Sequence, residues 1–223
     1  MSKVTTGLPK LDRLLGGGLP EKTVVLVSGG PGTGKTLVSL NFLLEGAKKR
    51  ERCCYVSLSE TKDELIRACK EIESLKEIEK YVGRNLAIEH IQLGENITLK
   101  KFIEIIASYP KIDRLVIDNV NKLLIFSESK RAYRLNLSEL VKHLKNMGCT
   151  LLLCETKGDE IDSGNDEAFE CDGVIHLSFL ELEEKPMRTV MVHKLRYSSF
   201  EPKTPRELII NKKGIRLSDV KII

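Results

Sequence analysis

An eight-residue stretch, GGPGTGKT at residues 29–36, combines glycines with a lysine and a threonine at a fixed spacing. The pattern is G-x-x-x-x-G-K-[ST], and it follows an apolar run and precedes a helical pattern. In such a loop the glycines let backbone N–H groups approach phosphate oxygens closely, while the lysine bridges the β- and γ-phosphates and the hydroxyl holds Mg²⁺. The predicted nucleotide-binding residues are Gly29, Gly30, Pro31, Gly32, Thr33, Gly34, Lys35, Thr36 and Leu37.

A second acidic position fits the same chemistry. The apolar run RLVIDNV places Asp118 near the end of a predicted strand. An ordinary charged strand end is the alternative, but beside a phosphate loop we expect Asp118 to help hold Mg²⁺ together with Thr36. We expect the base to be adenine, because the sequence contains neither the N-K-x-D nor the D-x-x-G pattern of GTPases.

Glu60 ends the stretch CCYVSLSET, residues 53–61, and has two interpretations. Thr61 is typical of a helix N-cap, which would leave Glu60 as a solvated strand end. We expect, however, that the strand before Glu60 lies beside the phosphate-loop strand, so that its carboxyl end faces the γ-phosphate. A carboxylate at that point can orient and deprotonate the attacking water, which makes Glu60 the candidate catalytic base.

Strands and helices must hold these side chains at one edge of a sheet. Five strand-like runs, at residues 22–28, 52–58, 85–93, 112–120 and 149–156, alternate with helical patterns at 36–49, 61–75, 99–109 and 133–148, the last ended by Gly148. This alternation predicts an α/β fold with a mostly parallel sheet flanked by helices. Residues 173–196 and 206–217 predict C-terminal antiparallel strands, with turns at 184–186 and 212–214.

Length and composition limit the class of protein. With 223 residues, of which 41% are hydrophobic, we expect one domain spanning residues 1–223. No apolar run approaches the roughly 18 to 20 residues that span a membrane, and no signal peptide is evident, so we expect a cytoplasmic protein with no membrane partner. The net charge of +4 is too small to indicate nucleic acid, and the six cysteines show no metal-ligand spacing.

These motifs, together with TTGLPKLDRLLGGGLP at residues 5–20, resemble the KaiC-like ATPases of the RecA superfamily. The opening segment matches the family pattern T-G-[IL]-x-x-L-D-x-[LI]-x-G-G-G-[ILF]-P, and the resemblance covers essentially the whole chain as a single KaiC-type domain. It implies a RecA-like P-loop fold, ATP or ADP and Mg²⁺ as ligands, and an ATPase of regulatory function. It also implies a homo-oligomer, expected to be a hexamer, with nucleotide held between subunits.

The resemblance assigns roles to residues late in the chain. In the family, a K-L-R tripeptide reaches the ATP of the neighbouring subunit, which gives Lys194 and Arg196 an arginine-finger role. Without the resemblance, HKLR would be an ordinary basic strand end. Ser198 falls where the family uses a small hydroxyl residue near the nucleotide. The family's glutamate pair corresponds to Ser59 and Glu60, so we expect Glu60 to act alone and hydrolysis to be slow.

The sequence departs from the family in ways that separate possible functions. In the family, the clock protein, which has two KaiC-type domains in tandem, phosphorylates itself on an adjacent Ser-Thr pair. Residues 167–170, EAFE, contain no hydroxyl group at the corresponding position, so we expect no autokinase activity there. Residues 157–172 carry seven acidic residues and one lysine, which disfavours the DNA binding of recombinases and RadA-like paralogues. Lys130, Arg131 and Arg134 leave weak DNA binding open. A further alternative is an ATP-dependent scaffold with negligible hydrolysis, and the client protein is not identified.

Overall fold

The computed structural model of the chain describes residues 2–94, 98–109, 111–181 and 186–221. The helices are α1 (Pro9–Leu14), α2 (Lys35–Lys48), α3 (Lys62–Lys70), α4 (Leu99–Ala107), α5 (Lys130–Leu144) and α6 (Glu167–Glu170), with 3-10 helices at Glu73–Lys80 and Val120–Phe126. The strands are β1 (Lys3–Val4), β2 (Leu19–Pro20), β3 (Val24–Gly29), β4 (Cys53–Ser57), β5 (Leu86–His90), β6 (Arg114–Asp118), β7 (Cys149–Glu155), β8 (Gly173–Leu180), β9 (Met187–Leu195), β10 (Arg206–Asn211) and β11 (Gly214–Lys221).

Within these residues the main sheet has nine strands in the order β11-β10-β9-β8-β3-β7-β6-β4-β5, while β1 and β2 form a separate antiparallel pair. The strands from β8 to β5 run parallel and the C-terminal strands β9, β10 and β11 are antiparallel. The predicted fold class is therefore confirmed. One detail differs, because β8 pairs in parallel with β3 as well as antiparallel with β9, so the parallel part contains six strands rather than five.

The predicted neighbour of the phosphate-loop strand is wrong. β4 pairs with β5 and β6, whereas β3 pairs with β7 and β8, so two strands lie between β3 and β4. The crossover through α2 passes over two strand positions, which β6 and β7 later occupy. Because Ser57 is level with Asp118 in the β4–β6 register, the residues after β4 approach Asp118 instead of Gly29.

Helices cover both faces of the parallel sheet, so its strands consist of nearly continuous apolar residues. Along β3, Val25 and Val27 join the core formed with α1, α2 and α3. Val24 and Leu26 point to the other face and join the core formed with α4 and α5. All six cysteines are buried and unpaired. Among the described residues no helix has the length and apolarity needed to cross a bilayer.

Local interactions set the ends of the flanking elements. Thr61 caps α3, as the alternative interpretation of residues 53–61 predicted, and Glu64 completes a capping box by accepting from the Thr61 backbone N–H at 2.7 Å. The predicted end of α5 at Gly148 is wrong, since the helix ends at Leu144. Gly148 instead lies against the backbone of Asp113, where a Cβ would come within 2.0 Å of the carbonyl oxygen.

Of the two predicted C-terminal turns, the one at 212–214 lies within the described residues and the one at 184–186 lies mostly outside them. Residues 212–213 connect β10 and β11, and Asn211 Oδ1 accepts hydrogen bonds from the N–H groups of Lys213 and Gly214 at 2.9 and 3.3 Å. The other turn, at 184–186, lies mostly outside the described residues, although β8 and β9 on its two sides pair antiparallel as predicted. The side-chain amide oxygen of Asn211 therefore stabilises the turn of the hairpin that ends the main sheet at β11.

Arg114, at the start of β6, is fully buried. Its guanidinium donates to the carbonyl oxygens of Thr5 at 2.6 Å and Phe42 at 2.8 Å, and it pairs with the carboxylate of Glu51. Gly46 makes room for the guanidinium, because a Cβ there would come within 2.4 Å of Arg114 Nε. One side chain thus joins the N-terminal segment, α2 and β6.

We expect Arg114→Met to lower the free energy of unfolding by about 3 kcal/mol, because removal of one partner leaves a buried acceptor set unpaired. Urea unfolding followed by circular dichroism measures the change. Arg84→Met is the matched control, since Arg84 is exposed and its replacement should change the free energy by less than about 0.5 kcal/mol. Equal losses in the two variants would contradict a special contribution of Arg114.

Candidate functional site

The glycine-rich loop joins β3 to α2 at the carboxyl edge of the sheet. Gly32 and Gly34 have φ angles of 75° and 106°, in the left-handed region that favours glycine, and Gly34 is the N-cap of α2. The first N–H groups of α2 have no hydrogen-bond partner within the helix. They lie at its N-terminus, where the helix dipole favours anions. The loop and helix start therefore form a backbone site for phosphate.

Lys35, the first residue of α2, folds back on the loop. Its ammonium donates to the carbonyl oxygens of Gly29 and Gly30, each at 2.9 Å, and only 8% of the residue is exposed. Burial lowers the pKa of Lys35, while the neighbouring carboxylates of Glu155 and Asp118 act in the opposite direction. The cation is thus kept inside the loop and close to two acidic groups.

Asp118 and Thr36 meet below the loop. Asp118 Oδ2 accepts a hydrogen bond from Thr36 Oγ1 at 3.4 Å and another from the hydroxyl of Tyr55 at 2.5 Å. Burial raises the pKa of Asp118, and the hydrogen bond from Tyr55 opposes that shift. A hydroxyl and a carboxylate that converge are oxygen donors of the type Mg²⁺ prefers, so the donor set fits this metal.

Glu60 lies in the turn after β4, beside Asp118. The N–H of Leu58 donates to the Asp118 carbonyl oxygen at 2.6 Å, and the N–H of Glu60 donates to Ser57 Oγ at 2.9 Å. Burial raises the pKa of Glu60, and the carboxylates of Asp118 and Glu64 raise it further. A raised pKa makes the ionised carboxylate a stronger proton acceptor, which is the direction a general base needs.

Glu155, at the end of β7, belongs to the same group of side chains and was not predicted. It is level with Gly29 in the β3–β7 register, and the Asn121 side chain holds its backbone by accepting from the N–H at 2.7 Å and donating to the carbonyl oxygen at 3.2 Å. Its charge acts on both Lys35 and Asp118. An acidic residue that ends an apolar strand, as Asp118 does, was the available signal.

A comparison with protein families shows the family to which the chain with this loop belongs. A family model described as "ATPase: KaiC" matches residues 4–221. The chain belongs to this family.

Two curated relatives and one solved structure are similar to this KaiC-family chain over most of its length. A UPF0273 protein of Pyrococcus horikoshii is 29% identical over 215 residues, covering 88% of this chain and 86% of the relative. A UPF0273 protein of Thermotoga maritima is 30% identical over 224 residues, covering 89% of each chain. A crystal structure of a KaiC-like protein from P. horikoshii has a TM-score of 0.84 at 29% identity and covers 97% of this chain and 99% of that one. The chain is a nucleotide-binding protein of the KaiC/RecA type.

Lys194 and Arg196 of this KaiC-family chain lie far from its own phosphate loop. Leu195 pairs with Gly173, which is level with Val25 near the amino end of β3, whereas the loop begins at the carboxyl end, Gly29. At about 3.3 Å per residue, four residues of strand separate the two sites by roughly 13 Å. The structure of one chain therefore does not bring Lys194 and Arg196 together with Lys35, Asp118 and Glu60.

In the single chain these cations have other partners. Lys194 donates to the carbonyl oxygens of Ala168 at 2.9 Å and Cys171 at 2.6 Å, and Arg196 lies 3.6 Å from a carboxylate oxygen of Asp172. Asp172 is also paired with Lys145 at 2.7 Å, and the Arg196 side chain remains 49% exposed. The guanidinium is accordingly held at the surface by a shared carboxylate.

Ser198 contacts the N-terminal glycine-rich segment instead of the phosphate loop. Its hydroxyl donates to the carbonyl oxygen of Leu15 at 2.7 Å and accepts a hydrogen bond from Lys3. Gly16 lies beside it, and a Cβ there would come within 1.9 Å of the Ser199 carbonyl oxygen. Gly16, the first glycine of the GGG segment in the family pattern, is therefore packed against the residues that follow the K-L-R tripeptide.

Proposed function

We propose that this KaiC-family protein hydrolyses ATP with the help of Mg²⁺ at sites shared between the subunits of a homo-oligomer. The observation that carries the proposal is the hydrogen bond from Thr36 to Asp118 beneath the phosphate loop, together with Glu60 in the turn after β4, whose pKa is raised by burial and by the Asp118 charge. This group contains a phosphate cradle, a pair of oxygen donors and a base of raised pKa. A purely structural glycine turn needs neither the oxygen donors nor the base.

In the proposed reaction each residue has one task. Backbone N–H groups of residues 32–36 and the Lys35 ammonium bind the phosphates, while Thr36 and Asp118 hold Mg²⁺. Mg²⁺ held by Thr36 and Asp118 would supply positive charge that offsets the negative charge of the phosphates. Glu60 orients a water and accepts its proton as the water oxygen bonds to the γ-phosphorus, and the bond to the bridging oxygen breaks with its electron pair leaving on ADP. Ser59 provides no second carboxylate, which is consistent with slow turnover.

Lys194 and Arg196 are proposed to complete the site of a neighbouring subunit. Their position at the opposite edge of the sheet from their own phosphate loop favours a role in trans. Two cations directed at a γ-phosphate would stabilise the charge that develops during transfer. Ser198 is assigned to the same boundary, where it would support the segment that carries Arg196. A ring of six subunits is the arrangement expected of the family.

ATPase measurement on size-fractionated protein tests the proposal. We expect phosphate release to follow the oligomeric fraction and to fall to background in the Lys35→Ala variant. Absence of release from every fraction would contradict hydrolysis, and release from monomers alone would contradict shared sites. The scaffold alternative predicts assembly that depends on nucleotide without release of phosphate.

DNA binding of the recombinase type has less support. Lys130 and Arg131 are exposed at the start of α5, but Arg134 pairs with Asp166 at 3.2 Å and lies 4.0 Å from Glu170. One of the three basic residues is thus directed at the acidic segment. Filter binding of single-stranded DNA over a range of salt concentrations tests this alternative, since a true DNA-binding surface loses affinity steeply as salt rises.

Self-phosphorylation at α6 is not part of the proposed function. This helix consists of Glu167, Ala168, Phe169 and Glu170 and offers no hydroxyl group. Incubation with labelled ATP followed by phosphopeptide mapping tests the point. A labelled peptide from this segment would contradict it.

Tyr55 is expected to position the carboxylate that binds the metal. We expect Tyr55→Phe to weaken Mg²⁺ binding to the ADP complex about tenfold, because the variant loses a hydrogen bond to a charged group that fixes Asp118. Titration of Mg²⁺ against a fixed ADP concentration measures the change. Tyr81→Phe, at the end of a 3-10 helix, is the matched control, and an equal effect of both variants would contradict the assignment.

A further inference from the structure

Arg188 contacts the phosphate loop from outside the sequence motif. It lies on β9 opposite Phe179 of β8, and its guanidinium carbon is 5.2 Å from the centre of the Phe179 ring. From this position Arg188 Nε donates a hydrogen bond to the carbonyl oxygen of Gly32 at 3.0 Å. The ring also reaches the loop, since a Cβ on Gly32 would lie 4.0 Å from its Cζ. An arginine and an aromatic ring therefore flank one peptide group of the loop.

That hydrogen bond determines the direction of a neighbouring N–H group. In a planar trans peptide the C=O and N–H bonds point in opposite directions. Because Arg188 holds the carbonyl oxygen of Gly32 on its own side, the N–H of Thr33 in the same peptide points away from Arg188. Thr33 is held as well, since its side chain is buried and its hydroxyl donates to the Gly30 carbonyl oxygen at 2.9 Å.

The contact is suited to keeping the peptide in one orientation. Gly32 has a φ of 75° and no side chain. Without a further contact, its backbone could adopt more conformations than that of any other residue type. The flat guanidinium rests on the Phe179 ring, which limits its rotation and leaves Nε directed at the loop. Lysine, with a flexible stem and a point charge, could supply the charge without the same orientation.

We propose that Arg188 is a positioning residue for the phosphate loop, which presents the Thr33 N–H to the β-phosphate of a bound nucleotide by holding the carbonyl oxygen of Gly32. Phe179 supports Arg188 in this role. The inference rests on the nucleotide binding of the loop and is independent of ATP hydrolysis. Since ADP and ATP both carry a β-phosphate, the contribution of Arg188 is the same for the two nucleotides.

Nucleotide titrations without turnover test this inference. Fluorescent ADP is bound to the full chain, and unlabelled ADP or non-hydrolysable ATP is used as competitor. We expect Arg188→Ala to raise the Kd about tenfold for both nucleotides, as loss of one oriented hydrogen-bond network would. Arg188→Lys should recover part of the affinity and Phe179→Leu should raise the Kd roughly threefold, because each keeps one component of the contact.

Controls separate positioning from folding and from direct charge. Arg216→Ala, an exposed arginine on β11, should leave the Kd unchanged, and the thermal midpoint of Arg188→Ala should stay within about 3 °C of the wild type. An unchanged Kd would overturn the inference, and a loss confined to ATP would overturn it in favour of a direct contact with the γ-phosphate. Wild-type binding without hydrolysis would contradict only the proposed ATPase function.

Discussion

Replacement of Arg196 by alanine should lower the kcat for ATP hydrolysis about a thousandfold, which is the low end of the contribution of an arginine finger. The physical reason is the loss of a guanidinium that faces charge developing on the γ-phosphate oxygens. The Kd for ADP should change little, because ADP lacks that phosphate. Phosphate release and ADP titration, measured on the oligomeric fraction, give the two quantities. Arg216→Ala, at an exposed position of β11, is the matched control.

Mixing of two inactive variants shows whether Arg196 acts across a boundary. A subunit with Arg196→Ala retains Glu60, and a subunit with Glu60→Gln retains Arg196, so some boundaries in a mixed oligomer contain both intact groups. With random exchange, about a quarter of the boundaries combine them in the required order, and we expect activity near that fraction of wild type. A mixture no more active than its two components, although exchange is demonstrated, would contradict action in trans.

Glu60→Gln should lower kcat about a hundredfold, the smaller end of the contribution of a general base. Glutamine keeps the size of the side chain and can still hydrogen-bond a water, but it cannot accept the water proton. The Kd for ATP should stay within about twofold, since Glu60 acts on the water and not on the bound phosphates. Single-turnover hydrolysis and nucleotide titration separate the two effects.

Asp63→Asn is the matched control for Glu60→Gln, because Asp63 is an exposed carboxylate in the first turn of α3. It should leave kcat unchanged. If Glu60→Gln releases phosphate at the wild-type rate, Glu60 is not the base. If instead both variants are slowed equally, the effect would come from the general loss of negative charge near the site.

The parts of the site that the sequence predicts are those held by local structure. The phosphate loop is a contiguous strand, turn and helix start, so its residue types and spacing already determine the shape. Asp118 could be predicted because it ends an apolar strand. Glu60 was predicted through an incorrect neighbour, β3, and still lies at the site because β4 runs beside β6. Hydrophobic pattern shows that a strand is buried on both faces, but not which strand lies next to it.

The contacts that sequence reasoning missed join residues far apart in the chain. Tyr55 reaches Asp118 across 63 positions, and Arg188 reaches Gly32 across 156. Nothing in the local sequence distinguishes Tyr55 or Arg188 from other strand residues whose side chains end in a polar group. Glu155 was closer to being predictable, since it ends an apolar strand as Asp118 does. The assignment of Lys194 and Arg196 came from the family resemblance alone and stays a prediction.

The buried Arg114 links the two elements that carry Thr36 and Asp118, the residues proposed to hold Mg²⁺. Helix α2 begins with Lys35 and Thr36, and β6 ends at Asp118. The start of the helix and the end of the strand therefore lie side by side at the phosphate loop. Arg114 connects the two elements, because it lies four residues before Asp118 on β6 and donates a hydrogen bond to the carbonyl oxygen of Phe42 on α2. Arg114 lies roughly 13 Å from Asp118 along β6, so we expect its contacts to influence the distance between Thr36 and Asp118. We therefore expect loss of the Arg114 contacts to increase the distance between Thr36 and Asp118 before the chain unfolds.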